Sequence, residues 1–131
     1  YVAKLGIADR FYFTGFLRGD DVQKMFALSD VYVMPSVSEP FGISPLEAMK
    51  SDVPTIISKQ SGVAEVLKYA IKVDFWDVNA LADAMYGLLN YPALPHLPSE
   101  RGREEVDNLK WDAAAVKVRD VYQSAIDSCS E

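Results

Sequence analysis

Short apolar runs alternate along the chain with stretches in which apolar residues recur every three or four positions. The runs at 11–13, 31–34, 53–57 and 71–73 predict strands. Val31-Tyr32-Val33-Met34 is nearly all apolar, as a strand covered on both faces should be. Between the runs, Val22, Met25, Phe26 and Ser29 mark the inward side of a helix capped by Asp20. Leu81, Ala84, Met85, Leu88 and Leu89 mark a second, preceded by Asp77. Trp111, Ala114, Ala115, Val118, Val121, Tyr122 and Ala125 form one stripe of a long helix over about 111–127. Ser44-Pro45-Leu46-Glu47 reads as a helix start, with a serine cap, a proline at the first helical position and a glutamate at the third, a capping box. Prolines at 92, 95 and 98 make 92–98 an expected loop. Strands alternating with helices predict an α/β fold, a Rossmann-like, mostly parallel sheet flanked by helices.

Composition narrows the picture. At 131 residues the chain is one domain at most. Half its residues are hydrophobic and 24% charged, ordinary for a soluble globular protein. A net charge of −6, with no basic stripe, argues against nucleic acid as a partner. It does not argue against a nucleotide, which local groups hold. The one cysteine, Cys129, cannot form an intrachain disulfide, and a reducing, cytoplasmic compartment is the simple expectation. No run is long enough to span a bilayer and no signal-peptide pattern opens the chain. Tyr1 to Ile7 reads like the end of a helix, so a piece of a longer protein is expected. His96 is the sole histidine, which leaves a metal site or a catalytic triad unsupported. Neither a P-loop nor a G-x-G-x-x-G fingerprint occurs.

The chemistry concentrates in Ser38-Glu39-Pro40-Phe41-Gly42-Ile43-Ser44-Pro45-Leu46-Glu47. This segment follows the apolar run 31–34, so it leaves the carboxyl end of a buried strand, where open α/β sheets bind ligands. Carboxylates accept hydrogen bonds from hydroxyls, Gly42 lets backbone approach a ligand, and a helix start favours an anion. Glu47 has a structural explanation in the capping box. Glu39 precedes proline, lies outside the helix and has none beyond a solvated loop charge.

The segment resembles the E-x7-E motif of the retaining GT-B glycosyltransferases of family 4, or group 1. Other stretches carry the likeness too. Phe11-Tyr12-Phe13-Thr14-Gly15-Phe16-Leu17 resembles the family's strand and base-binding loop, and Asp52-Val53-Pro54-Thr55-Ile56-Ile57 its strand after the motif helix. Ser61-Gly62-Val63-Ala64-Glu65-Val66-Leu67 resembles its glycine loop and the helix after it, with serine where many members have a first glycine. The stretch from Trp111 to Tyr122 is similar to its closing helix.

The resemblance implies that residues 1–131 are a partial donor-binding domain, the C-terminal half of a GT-B fold. It implies a parent enzyme that moves a hexose-type sugar from a nucleoside diphosphate sugar to a hydroxyl acceptor with retention, using no metal and no cofactor. Glu39 would be the catalytic residue, meeting hydroxyls of the transferred sugar and steadying positive charge at its anomeric carbon, and Glu47 would meet the ribose hydroxyls. Backbone N–H groups of Phe41, Gly42, Ile43 and Ser44 would meet the diphosphate, and Gly15, Phe16 and Leu17 the base. The acceptor would belong to a missing N-terminal lobe. An Arg/Lys pair that clamps the diphosphate would lie upstream of Tyr1, so the isolated piece is expected to be inactive. In the family's sheet order, 3-2-1-4-5-6, this chain starts near the third strand. The rest of the parent, a second copy by exchange, or a rearranged sheet must fill the vacant middle, and open edges of that kind invite self-association. A reading from another class remains: a non-catalytic binding or assembly module on the same fold, indifferent to substitution of either acid.

Overall fold

The computed structural model describes residues 1–91 and 93–129. Its centre is a parallel three-stranded sheet in the order β1 (Tyr32–Met34), β2 (Thr55–Ser58), β3 (Ile71–Val73). Tyr32 pairs with Thr55 and Met34 with Ile57, while Ile56 pairs with Ile71 and Ser58 with Val73. β2 is buried along its whole length, which accounts for its β-branched, apolar sequence.

Because side chains alternate across a sheet, the strands feed two cores. Met34 and Ile57 join Met49, Val63, Leu67 and Ala70 on one face, with Tyr32, Leu46 and Val106 packed against them. Ile56 and Val73 join Leu88 on the other, with Val31, Val33, Leu81, Ala84 and Met85. Helices α2 (Ser44–Lys50) and α4 (Ala93–Asn108) cover the first face and α3 (Val78–Asn90) the second. α1 (Asp20–Ala27) packs beside α2. Fully burying each large apolar side chain contributes about 1.5–3 kcal/mol, so these two clusters dominate the stability of the fold.

Several expectations meet their structure here. The α/β class, the parallel sheet and the strands at 31–34, 53–57 and 71–73 are present, with ends shifted by a residue or two. Asp77 caps α3 by accepting from the Ala80 N–H at 2.9 Å, and Leu89 points outward, off the buried seam. The cap of α1 is Gly19 at φ +55°, not Asp20, which is the first helical residue. Met25 on that helix is exposed, while Val22, Phe26 and Ser29 are half-buried.

Residues 11–13 do not form a strand. A strand's hydrogen bonds come from a neighbour, and among the described residues no strand pairs with them. Tyr12 is 86% exposed. Nor is 93–98 a loop: α4 starts at Ala93 and runs through Pro95 and Pro98, while Pro92 lies outside the described residues. Pro95 sits in the first turn, where N–H groups lack helical acceptors anyway. Pro98 forfeits one bond, and contacts nearer the C-terminal end of α4 hold the helix. Val106 packs on the core, and the Glu105 carboxylate accepts from the Lys68 N–H at 2.9 Å and the Tyr69 N–H at 3.2 Å. The His96 side chain lies outside the described residues.

The long C-terminal helix, α5 (Trp111–Ser128), forms where its periodicity places it, but its apolar stripe faces solvent. Trp111 is 90% exposed, and Val118, Val121 and Tyr122 are exposed as well.

Candidate functional site

The chain leaves β1 at Met34 and turns through residues 35–43 into α2. Within this turn, Gly42 has φ +84°, a left-handed conformation that side-chain-bearing residues avoid. It is also crowded: a Cβ there would lie 3.1 Å from Glu39 Cγ and 3.3 Å from the Met34 sulfur. The turn therefore folds Glu39 back over the end of β1.

A second loop braces it. The Gly62 N–H donates to the Glu39 carbonyl at 2.9 Å and the Val63 N–H to the Phe41 carbonyl at 3.1 Å. Gly62 passes so close that a Cβ would sit 1.9 Å from the Pro40 carbonyl oxygen. Ser61 is buried and donates to the Ser58 carbonyl at 2.7 Å, which anchors the brace to the end of β2. Serine at this position is thus a structural anchor.

The start of α2 departs from the capping box. The N-cap is Ile43, already in helical conformation, and no side chain caps the helix. Ser44 is the first helical residue, and its hydroxyl shares a 2.7 Å hydrogen bond with the Tyr32 phenol. Glu47 is consequently released from the structural task that the sequence pattern offered it. Both Glu39 and Glu47 are half-buried.

The acids converge electrostatically on Tyr32. Burial pushes its phenol above the ordinary value, the Ser44 hydrogen bond pulls it partly back, and Glu47 and then Glu39 push it up further. The phenol consequently stays neutral at any physiological pH.

Among the described residues, no hydrogen bond engages the backbone N–H of Phe41, Gly42, Ile43 or Ser44. The site therefore offers half-buried carboxylates to accept from hydroxyls and a row of free N–H donors between them. α2 is only seven residues long, so the donors rather than a macrodipole carry any anion contact.

The structure brings together Glu39, Phe41, Gly42, Ile43, Ser44 and Glu47 on one turn. It does not tie Gly15, Phe16 and Leu17 to them. Gly15 stands in open space at φ +69°, and Phe16 is 85% exposed with the Arg18 guanidinium 5.1 Å above its ring. Beside the site, at the ends of β2 and β3, Lys59 and Gln60 hydrogen-bond Asp74 and hold its carboxyl below the usual range. That network is satisfied internally. A depression of about 500 Å³ lies along α5 between Trp111, Ala115, Val118 and Tyr122; it is the flank of an uncovered helix stripe. No helix among the described residues is long and apolar enough to cross a membrane.

Two residues of this site carried little signal in the sequence. Tyr32 was legible only as the one hydroxyl-bearing residue of an apolar run. Gly62 was legible as a loop glycine, without the close approach that makes it necessary.

Known proteins share sequence similarity and fold with this chain. The sequence pattern of the family described as glycosyl transferases group 1 matches residues 1–105. An uncharacterised glycosyltransferase of Methanocaldococcus jannaschii is 30% identical over 129 residues, 95% of this chain and 33% of that protein. The chain spans a third or less of the length of the curated relatives it matches. Sucrose-phosphate synthase from Thermosynechococcus elongatus superposes with a TM-score of 0.81 at 30% identity, covering 97% of this chain and 33% of that one. Anabaena HepE, solved in complex with UDP-glucose, shares the fold at TM-score 0.80 and 19% identity, over 94% of this chain and 35% of its own.

Proposed function

The chain belongs to the glycosyl transferases group 1 family, and from that premise we propose that its 39–47 turn is the donor-nucleotide face of a retaining glycosyltransferase. The observation that carries this reading is the arrangement of Glu39 and Glu47 around a row of unpartnered N–H groups at the carboxyl end of β1. Vicinal ribose hydroxyls suit Glu47, which no cap occupies. The diphosphate suits the N–H groups of residues 41–44, and hydroxyls of a hexose-type sugar suit Glu39. Gly15, Phe16 and Leu17 are left to hold the base.

In this reading the departing diphosphate is stabilised by positioned donors, positive charge develops at the anomeric carbon, and a hydroxyl acceptor attacks on the same face. No metal is called on. The chain spans a third or less of its curated relatives, and in this reading the acceptor is held by the part of the enzyme outside it; orienting two reactants contributes up to about 7–11 kcal/mol. The chain by itself is therefore expected to bind donor without transferring sugar. Its place of action is taken as the cytoplasm.

Titration of the chain with UDP, ADP and GDP tests the proposal, with Glu47→Gln as control. Saturable binding of one nucleotide, weakened by the substitution about tenfold or more, is the expected result. The relative solved with UDP-glucose makes UDP the first choice. Binding untouched by Glu47→Gln would remove the ribose role. The assembly-module reading has its own support in β1, which among the described residues is paired on one side only. It predicts concentration-dependent self-association and indifference to Glu39→Gln and Glu47→Gln.

A further inference from the structure

We propose that Tyr32 is a positioning residue of this site, its phenol setting the first turn of α2, and with it Glu47, through the Ser44 hydroxyl. The inference rests on the donor-site reading and adds to it a residue that meets no ligand itself.

Tyr32 is fixed from below. Its backbone is in register with Thr55, its side chain lies on the core face shared by Met34 and Ile57, and its ring meets Phe26 of α1 edge-on at 5.7 Å. An aliphatic residue would fill such a strand position without a polar atom to satisfy. The phenol instead rises to the 2.7 Å contact with Ser44.

Ser44 is where this contact matters. A serine at the N-cap turns its hydroxyl to a backbone N–H of the first turn, but Ser44 stands one position on, inside the helix, behind Ile43. Its hydroxyl is turned down to the sheet, so α2 is located by β1 rather than by a local cap. Glu47 follows one turn later on the same short helix. Glu39 reaches the same spot from the braced loop, and both carboxylates act on the phenol. The hydroxyl pair is thus the one side-chain hydrogen bond among the described residues that ties β1 to the start of α2.

Amide NMR spectra of the chain, recorded with and without UDP, test this in Tyr32→Phe, Ser44→Ala, the double variant and Ser44→Thr. Phenylalanine keeps the ring and its contact with Phe26 and removes only the hydroxyl. Tyr32→Phe is expected to shift the amide signals of residues 43–47 and weaken UDP binding by about threefold to tenfold. Ser44→Ala should do the same, the double variant no more than the larger single, and Ser44→Thr should retain binding. A merely structural hydroxyl would lower the melting temperature without this coupling or this rescue. Unmoved 43–47 signals in Tyr32→Phe, or single effects that multiply in the double, would overturn the proposal. Should UDP fail to bind the unaltered chain while the coupled shifts persist, the donor reading fails and the positioning role stands. UDP binding with uncoupled shifts sinks the positioning role alone.

Discussion

The sheet-centred core within residues 31–91 and the two flanking segments, 1–19 and 111–128, use large apolar side chains to opposite ends. In the first region Ile56, Ile57, Val63 and Leu67 are fully buried between helices and sheet. In the second, Tyr12, Phe13, Phe16, Trp111, Val121 and Tyr122 face solvent. The outcome differs again between the two flanks. α5 is regular over 18 residues although nothing among the described residues covers its stripe, because a helix closes its hydrogen bonds within itself. Residues 11–13 have strand composition and form none, because a strand must borrow its partners. Periodicity is thus enough to write a helix, whereas a strand needs a neighbour that the sequence pattern does not name.

Truncating side chains in the two regions puts this contrast to its hardest trial. Ile57→Ala should cost about 2–5 kcal/mol in urea unfolding, while Val121→Ala on α5 should cost less than about 0.5 kcal/mol. A comparable cost for Val121 would mean that α5 is covered in solution. Next in size is the brace between loops. Gly62→Ala places a methyl against the Pro40 carbonyl and should cost about 1–3 kcal/mol while moving the Glu39 and Phe41 amide signals. Unchanged spectra would show that the 61–63 loop does not position the acids. Asp77→Ala should cost about 1 kcal/mol, the value of a helix cap, where α5 has no side-chain cap to lose. The smallest effect is alkaline. The Tyr32 phenol is raised in the folded state, so its share of stability is complete below about pH 10 and is lost as pH climbs through the folded value. Tyr32→Phe should flatten that loss, and Glu47→Gln should bring the phenol's titration, followed by ultraviolet absorbance, to lower pH. Titration unmoved by Glu47→Gln would separate the acid from the phenol.

Much of the buried region was legible beforehand. Three strands, the helix after Asp77 and the clustering of both acids on one turn follow from alternation, spacing and turn chemistry, which are local. The misreadings share a cause. Ser44 with Glu47 three residues on fits a capping box, but a hydroxyl that bonds locally bonds equally well to a phenol twelve residues back, and the strand put one there. Prolines at 95 and 98 argue for a loop until Val106 and Glu105 fasten the rest of the helix to the core. Asp20 has the chemistry of a cap, yet Gly19 takes the place because its backbone reaches φ +55°.

Residue order alone was enough for the α/β class, the family likeness, and the placing of Glu39 and Glu47 on one loop-to-helix turn beyond a buried strand. These rest on short-range rules: period, capping, and the seven residues between two acids. It took packing in three dimensions to bring Tyr32 to Ser44 and to make Gly62 pass Pro40 without a side chain. Packing also left the apolar stripe of α5 open and residues 11–13 unpaired. Each of those outcomes is a contact between segments far apart in the chain or the lack of one. Such contacts depend on which surfaces the packed sheet brings within reach, and no local pattern encodes that distance.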